Sequence, residues 1–304
     1  MSVNKIGLVI KTLRKKRGLT QQQLAEKLGI TDKAVSKWER GLGIPDVLTI
    51  NELANTLNID ADNLLAGNVA YLENEWVGEL RLDKFQTNIS ITTEIYGKPS
   101  VYFYFCYFAL AGIKEVYIYC SVEEREIMRE LIGNGDKYGF NLRYNESEDI
   151  KIRKKMVIEG PVFLYGPNLT KYFQRGMSRK NAQISLIIPC VDKNKDLVYL
   201  DGKNQVSDTF LNPQGYQILP IRFDFENSNN IEYEPMGKGM IAIEISKMDD
   251  VLAISNLLHI LSNYSGEQIY CLEEIAYRRG MIGKNQLKKF VAENEYLNRL
   301  VENK

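Results

Sequence analysis

The chain has 304 residues, 44% of them hydrophobic and 26% charged, with 39 Lys and Arg balancing 39 Asp and Glu. That is the make-up of a soluble globular protein of two domains, one large enough for a substantial core. Four cysteines without paired spacing and a single histidine exclude a disulfide framework, a zinc cluster and His-based hydrolysis, and they point to a reducing, cytoplasmic compartment. No signal peptide is expected, because the N-terminus already reads as a polar helix. The longest apolar run, Val101–Ile113, is too short to span a bilayer. Charge is uneven: residues 1–67 carry a net +3 and the remainder a net −3, as suits a nucleic-acid-binding head on a body that does not bind nucleic acid.

Residues 5–17 read as a helix with Ile6, Ile10 and Leu13 on one face and a basic end. Thr20 and Gln23 form the capping-box pattern that opens a second helix. Leu24 and Leu28 face inward and Gly29 stops it. Thr31 caps a third helix, with Asp32 in its first turn. Val35 and Trp38 face inward, Asp32, Lys33, Ser36, Lys37 and Arg40 face outward, and Gly41 ends the helix. Two short helices joined by a glycine turn, the second polar outside, form a helix-turn-helix. A fourth helix after Pro45 buries Val47, Ile50, Leu53 and Leu57, and a short fifth runs from a cap at Asp60 to Gly67. Residues 1–67 are thus expected to be an all-α five-helix domain, followed by a linker at 68–76.

The stretches LTQQQLAEKLGI, AVSKWERG and IPDVLTINELANTLNIDADNLLAG resemble the DNA-binding domain of the Cro/C1-type (Xre) repressor family. The resemblance implies that Gln21 contacts a phosphate, that Asp32, Lys33 and Lys37 read base edges, and that Thr31, Ser36 and Arg40 lie along the DNA backbone. It also implies an ion pair between Arg14 and Glu39. Lysine to guanine and a carboxylate to cytosine are both workable major-groove pairings. Asp32 has a second reading, as a cap for its own helix. The implied partner is double-stranded DNA with a pseudo-palindromic operator, bound by a homodimer.

Residues 77–304 read as a second domain. After a polar stretch without clear period come an apolar helix (101–111), a strand (115–120), a helix from Ser121 to Gly133, strands at 141–146, 161–166 and 183–191, and a helix at 168–179. From Lys247 the chain reads helical, and these C-terminal helices are the expected dimer interface. His259, in an apolar run, is expected in or near the core. Nearly continuous apolar strands alternating with helices predict an α/β domain with strands buried on both faces, followed by C-terminal helices.

Two stretches, Tyr96–Tyr144 and Gly266–Leu287, resemble the sugar nucleotidyltransferases, glucose-1-phosphate thymidylyltransferases in particular, through Lys98–Pro99, Leu110–Ile113, Gly133–Asp136, Gly139, Leu142 and Tyr144. The resemblance implies a Rossmann-like α/β fold with a mixed sheet. The departures from that family fall on its chemistry. Of its Gly-rich phosphate loop only Gly78 and Arg81–Leu82 remain, and its lysine falls near Ser90. Pro167 stands at its first metal-binding Asp, and its sugar-contacting motif is missing from GKNQVSDTFLNPQG. Glu244 aligns with the second metal Asp, either as a cation ligand or as a solvated strand-end charge. Without an anion cradle and a full metal set, phosphoryl chemistry loses its charge stabilisation. The expectation is therefore no catalytic residues, no metal and no cofactor. The body is expected to be a pairing scaffold or a sensor for a sugar nucleotide or sugar phosphate, and the alternative is a divergent but active nucleotidyltransferase.

Overall fold

The computed structural model of the chain describes residues 3–16, 19–57, 61–65, 76–145, 154–179, 182–190, 197–200, 215–225, 230–292 and 294–302. It divides into two compact units, Met1–Asn74 with Ala276–Lys304, and Glu75–Ile275. The expected cap at Asp60, stop at Gly67 and linker at 68–75 lie outside the described residues, as does most of GKNQVSDTFLNPQG. Trp76, the last expected linker residue, opens a strand. No described helix is long and apolar enough to cross a membrane.

The N-terminal helices are α1 (Val3–Lys16), α2 (Gln21–Lys27), α3 (Asp32–Glu39), α4 (Val47–Leu57) and α5 (Ala61–Leu65). The starts of α2 and α3 are fixed by the predicted caps. Thr20 Oγ1 accepts from the Gln23 amide at 3.1 Å, and Gln23 Oε1 accepts from the Thr20 amide at 2.8 Å. Thr31 Oγ1 accepts from the Ala34 amide at 3.3 Å. Gly29 follows α2 at φ 63°, a conformation that penalises a side chain. Ile6, Ile10, Leu24, Val35, Trp38, Leu53 and Leu57 meet in one apolar core. Helix α1 crosses α3 so closely that a Cβ on Gly7 would lie 2.2 Å from the Trp38 carbonyl oxygen.

In the body, the described strands of the main sheet run in the order β11 (Ile231–Pro235), β8 (Gln183–Cys190), β10 (Gly215–Asp224), β6 (Lys154–Ile158), β1 (Trp76–Arg81), β4 (Glu115–Tyr119) and β5 (Asn141–Tyr144), and β9 (Leu197–Val198) pairs with β10. Strand β1 is parallel to β4 and β6, while β10 runs antiparallel to β6 and β8, so the sheet is mixed. A hairpin of β2 (Glu94–Ile95) and β3 (Lys98–Pro99) precedes helix α6 (Tyr102–Ala111), and β7 (Val162–Tyr165) pairs with β12 (Ile241–Glu244). Helix α6 buries eight of its ten residues, which accounts for its apolar composition all round. The body's other helices are α7 (Val122–Ile132), α8 (Leu169–Ser178) and α9 (Met248–Ser265); α10 (Leu272–Arg278) straddles the division, and α11 (Lys284–Val291) and α12 (Asn298–Glu302) fall in the first unit.

Two expectations need correction. The stretch after residue 76, which showed no period in sequence, contains β1, a central strand. Its pattern is hidden because Glu79 is buried at 6% exposure and held by Lys155 at 3.3 Å and Arg81 at 3.2 Å. Gly78, aligned with the phosphate loop, sits in the middle of that strand, where a Cβ would lie 2.8 Å from the Phe108 ring. His259 is not in the core. It is exposed on α9, hydrogen-bonded to Asn263 at 3.0 Å and edge-on to Tyr96.

Replacing a helix-interior glycine by alanine normally stabilises by roughly 0.5–1 kcal/mol. At Gly7 the sign reverses, because the added methyl meets backbone that cannot rotate away. Gly7→Ala is expected to destabilise the N-terminal unit by at least about 2 kcal/mol. The chain has two tryptophans, Trp38 and Trp76, so urea unfolding followed by Trp38 fluorescence in a Trp76→Phe background measures the loss.

Candidate nucleic-acid interface and body cleft

Helix α3 presents two faces. Val35 and Trp38 are buried, and Thr31, Asp32, Lys33, Lys37 and Arg40 are exposed along the opposite side, with Ser36 half-buried among them. Asp32 Oδ1 accepts from the Lys33 amide at 2.8 Å, so its carboxylate is tied to its own helix start. Arg40 Nε donates to the Ser36 carbonyl at 3.3 Å, which lays the guanidinium along the helix. Lys33 and Lys37, one turn apart, carry positive charge outward on an eight-residue helix whose polar face is unobstructed by the unit's own core. That combination suits insertion into a major groove.

The face is held by a buried ion pair. Arg14 Nε meets Glu39 Oε1 at 2.5 Å and Arg14 Nη2 meets Glu39 Oε2 at 3.1 Å. Their side chains are only 9% and 2% exposed. Arg14 Nη1 also donates to the Leu19 carbonyl. Gln21, expected at a phosphate, gives its Nε2 to Glu39 Oε2 at 2.7 Å. Sequence reading anticipated the Arg14–Glu39 pair through resemblance but not this third member, since nothing in spacing links Gln21 to Glu39.

In the body, the groups aligned with the phosphate loop are already paired. Arg81 Nε and Nη2 grip Asp83 at 2.9 and 2.8 Å, Nη1 reaches Glu79 at 3.2 Å, and the guanidinium lies 4.7 Å over the Tyr119 ring. The hydrogen bond from Arg81 holds the Asp83 carboxyl below its usual range. Ser90, at the family's lysine position, bonds to Thr92 at 2.8 Å. The two positions aligned with metal ligands do not meet. Glu244 pairs in register with Val162 at one end of the β7–β12 ladder, while Pro167 follows the other end, five residues on.

A cleft of about 470 Å³ opens where β1 and β6 end, which is where ligands bind in open α/β sheets. It is lined by Lys84 and Gln86 after β1, Glu159 and Gly160 after β6, Gln217 and Ile218 on β10, and Glu244. Arg222 pairs with Glu159 and, at 3.1 Å, with Asp224. Of the lining residues the sequence reading singled out Glu244; the others escaped it because Lys84 and Gln86 sit in the stretch without period and Glu159 carries no local signature. Three thiols are not poised as nucleophiles: burial pushes Cys120 up to about 11 and Cys271 up to about 12, with Cys106 higher still.

Comparison with known proteins follows the same division. A helix-turn-helix family model matches residues 10–64. The chain carries an N-terminal helix-turn-helix domain of the Cro/C1 type. Over 58 residues it is 43% identical to the uncharacterized HTH-type transcriptional regulator YqaE of Bacillus subtilis, covering 19% of this chain and 50% of that one. Over 70 residues it is 37% identical to the HTH-type transcriptional regulator ImmR of the same organism, covering 23% and 55%. The body is homologous to glucose-1-phosphate thymidylyltransferases. It is 21% identical over 251 residues to the enzyme of Xanthomonas campestris pv. campestris, covering 66% of this chain and 85% of the enzyme. A helix-turn-helix head is thus fused to a nucleotidyltransferase-like body.

Removing one partner of a buried ion pair leaves an uncompensated charge. Glu39→Ala is therefore expected to destabilise the helix-turn-helix head by about 3–5 kcal/mol. The double variant Arg14→Met/Glu39→Leu is expected to recover most of that loss. Trp38 fluorescence during urea unfolding separates the two.

Proposed function

We propose that the protein is a sequence-specific transcriptional regulator that binds a pseudo-palindromic operator as a homodimer, in the cytoplasm. Lys33 and Lys37, with Asp32, read base edges, and Gln21, Thr31, Ser36 and Arg40 fix the helix against the DNA backbone. The observation that carries this reading is the exposed polar face of α3, set on a buried core by a buried ion pair. The regulators matched by the head support it. The body, in this reading, does not transfer nucleotides. It serves pairing and, through its cleft, reception of a sugar nucleotide or sugar phosphate. The capture of Arg81 by Asp83 and Glu79 and the separation of Pro167 from Glu244 support inactivity, because a triphosphate needs a free cation and a metal held by more than one ligand. The length of the match to thymidylyltransferases supports the second reading, a divergent enzyme with an accessory head.

Selection of duplexes from a random pool, followed by gel shift, is expected to yield a two-fold site with half-sites about one helical turn apart. Lys33→Ala and Lys37→Ala are each expected to weaken binding to that site by about 1–3 kcal/mol and to relax the base preference opposite them. Failure to enrich any duplex at low salt rejects the DNA-binding role.

The body is tested with nucleoside triphosphates, sugar phosphates and nucleotide sugars. No magnesium-dependent pyrophosphate release is expected from any pair of substrates, and release would establish the enzyme reading. A ligand at a hundred times its dissociation constant is expected to stabilise the body by about 2.7 kcal/mol, seen as a raised melting temperature. A flat panel leaves the body as scaffold alone.

A further inference from the structure

We propose that two copies of this chain pair through α9, packed antiparallel about Asn256. The inference rests on the reading of the protein as a regulator that presents two heads. Helix α9 buries Val251, Ile254 and Leu258 to 3% exposure or less against the body. Its opposite side is not the charged surface of a solvated helix. Met248, Leu252, Ile260 and Tyr264 are 54%, 57%, 54% and 90% exposed, and Asn256 between them is exposed as well. Between Val251 and Gly266 there is no Lys, Arg, Asp or Glu.

The spacing decides which partner fits. Residues 248, 252, 256, 260 and 264 recur every fourth position, so they form one i±4 ridge, the ridge used in the commonest class of helix packing. The ridge reads Met, Leu, Asn, Ile, Tyr, and it is symmetric about its centre in chemical character. A two-fold axis through Asn256 sets Leu252 of one copy near Ile260 of the other, with Met248 and Tyr264 flanking the contact, because the ridge winds about 40° per step around the helix. The two Asn256 amides, each both donor and acceptor, meet on the axis. A surface that is its own complement is what an isologous dimer requires.

Charge fits the same partner. Antiparallel pairing brings the first turn of one copy, where Lys247 Nζ and the 80% exposed Asp249 carboxylate lie 3.7 Å apart, to the last turns of the other, where His259 and Asn263 bond to each other at 3.0 Å. The ion pair meets no second lysine or carboxylate, so no like charges meet across the ridge. Tyr96, 39% exposed and edge-on to His259, widens the patch. Exposed apolar surface of this kind marks an interaction site.

The test uses the full chain. Light scattering is expected to give twice the chain mass for the natural protein. Ile260→Asp is expected to raise the dimer dissociation constant by about thirtyfold or more, the loss typical of an interface hot spot. Asn256→Cys is expected to form a covalent dimer on mild oxidation, while Glu123→Cys, exposed on α7, is not. A natural chain that stays monomeric overturns the proposal. So does a dimer that survives Ile260→Asp and in which Asn256→Cys does not cross-link. Gel shift of the natural chain on whole operator against a half-site separates the two ideas: a marked preference for the whole site keeps the two-headed reading even if α9 fails.

Discussion

The head depends on one buried contact, the pairing of Arg14 with Glu39. Arg14 lies two turns after Gly7 on the side of α1 that faces α3, and Glu39 follows Trp38, whose carbonyl oxygen closes on Gly7. The glycine lets the helices approach, and the approach puts the guanidinium within reach of the carboxylate. A buried ion pair adds little net stability, but its geometry is demanding. Here it ties α1, the start of α2 through Gln21, and the end of α3 into one arrangement. The outward pitch of Lys33 and Lys37 follows from that arrangement rather than from the third helix alone.

In the body, packing joins segments far apart in sequence. The two stretches that resemble nucleotidyltransferases most clearly meet in space. Lys98 Nζ donates to the carbonyls of Ile269 and Tyr270 at 3.1 and 2.9 Å, and the Tyr270 ring packs edge-on against Phe103, Tyr107, Phe163 and Tyr165. Burial drives the Tyr270 and Tyr107 hydroxyls well above their ordinary range, so they serve as neutral hydrogen-bonding groups inside the core. In this chain both stretches therefore build one aromatic core. Where the likeness fails, at the end of β1, the structure has a paired arginine and a mixed-charge cleft in place of a glycine cradle.

Much of this was legible in the sequence wherever local chemistry decides structure. The capping box at Thr20, the glycine stop at Gly29 and the two faces of α3 follow from side-chain hydrogen bonding and helical period. The apolar strands β4, β7 and β8 and the helix α6 follow from composition. Strand β1 was not legible, because Glu79 and Arg81 neutralise each other within the fold and a strand glycine packs on an aromatic ring. The exposure of His259 was not legible either. An apolar helix normally implies burial on all sides, and α9 is apolar while covered on one side only. The cleft is assembled from residues far apart in sequence, which no local pattern announces.

The grip of Asp83 on Arg81 also constrains any redesign of the body. An arginine held by two carboxylates and stacked on an aromatic ring does not advertise itself to a phosphate, so a glycine loop introduced at the end of β1 would gain little anion affinity while Asp83 stays. A laboratory lineage selected for triphosphate affinity would meet this residue as its first obstacle.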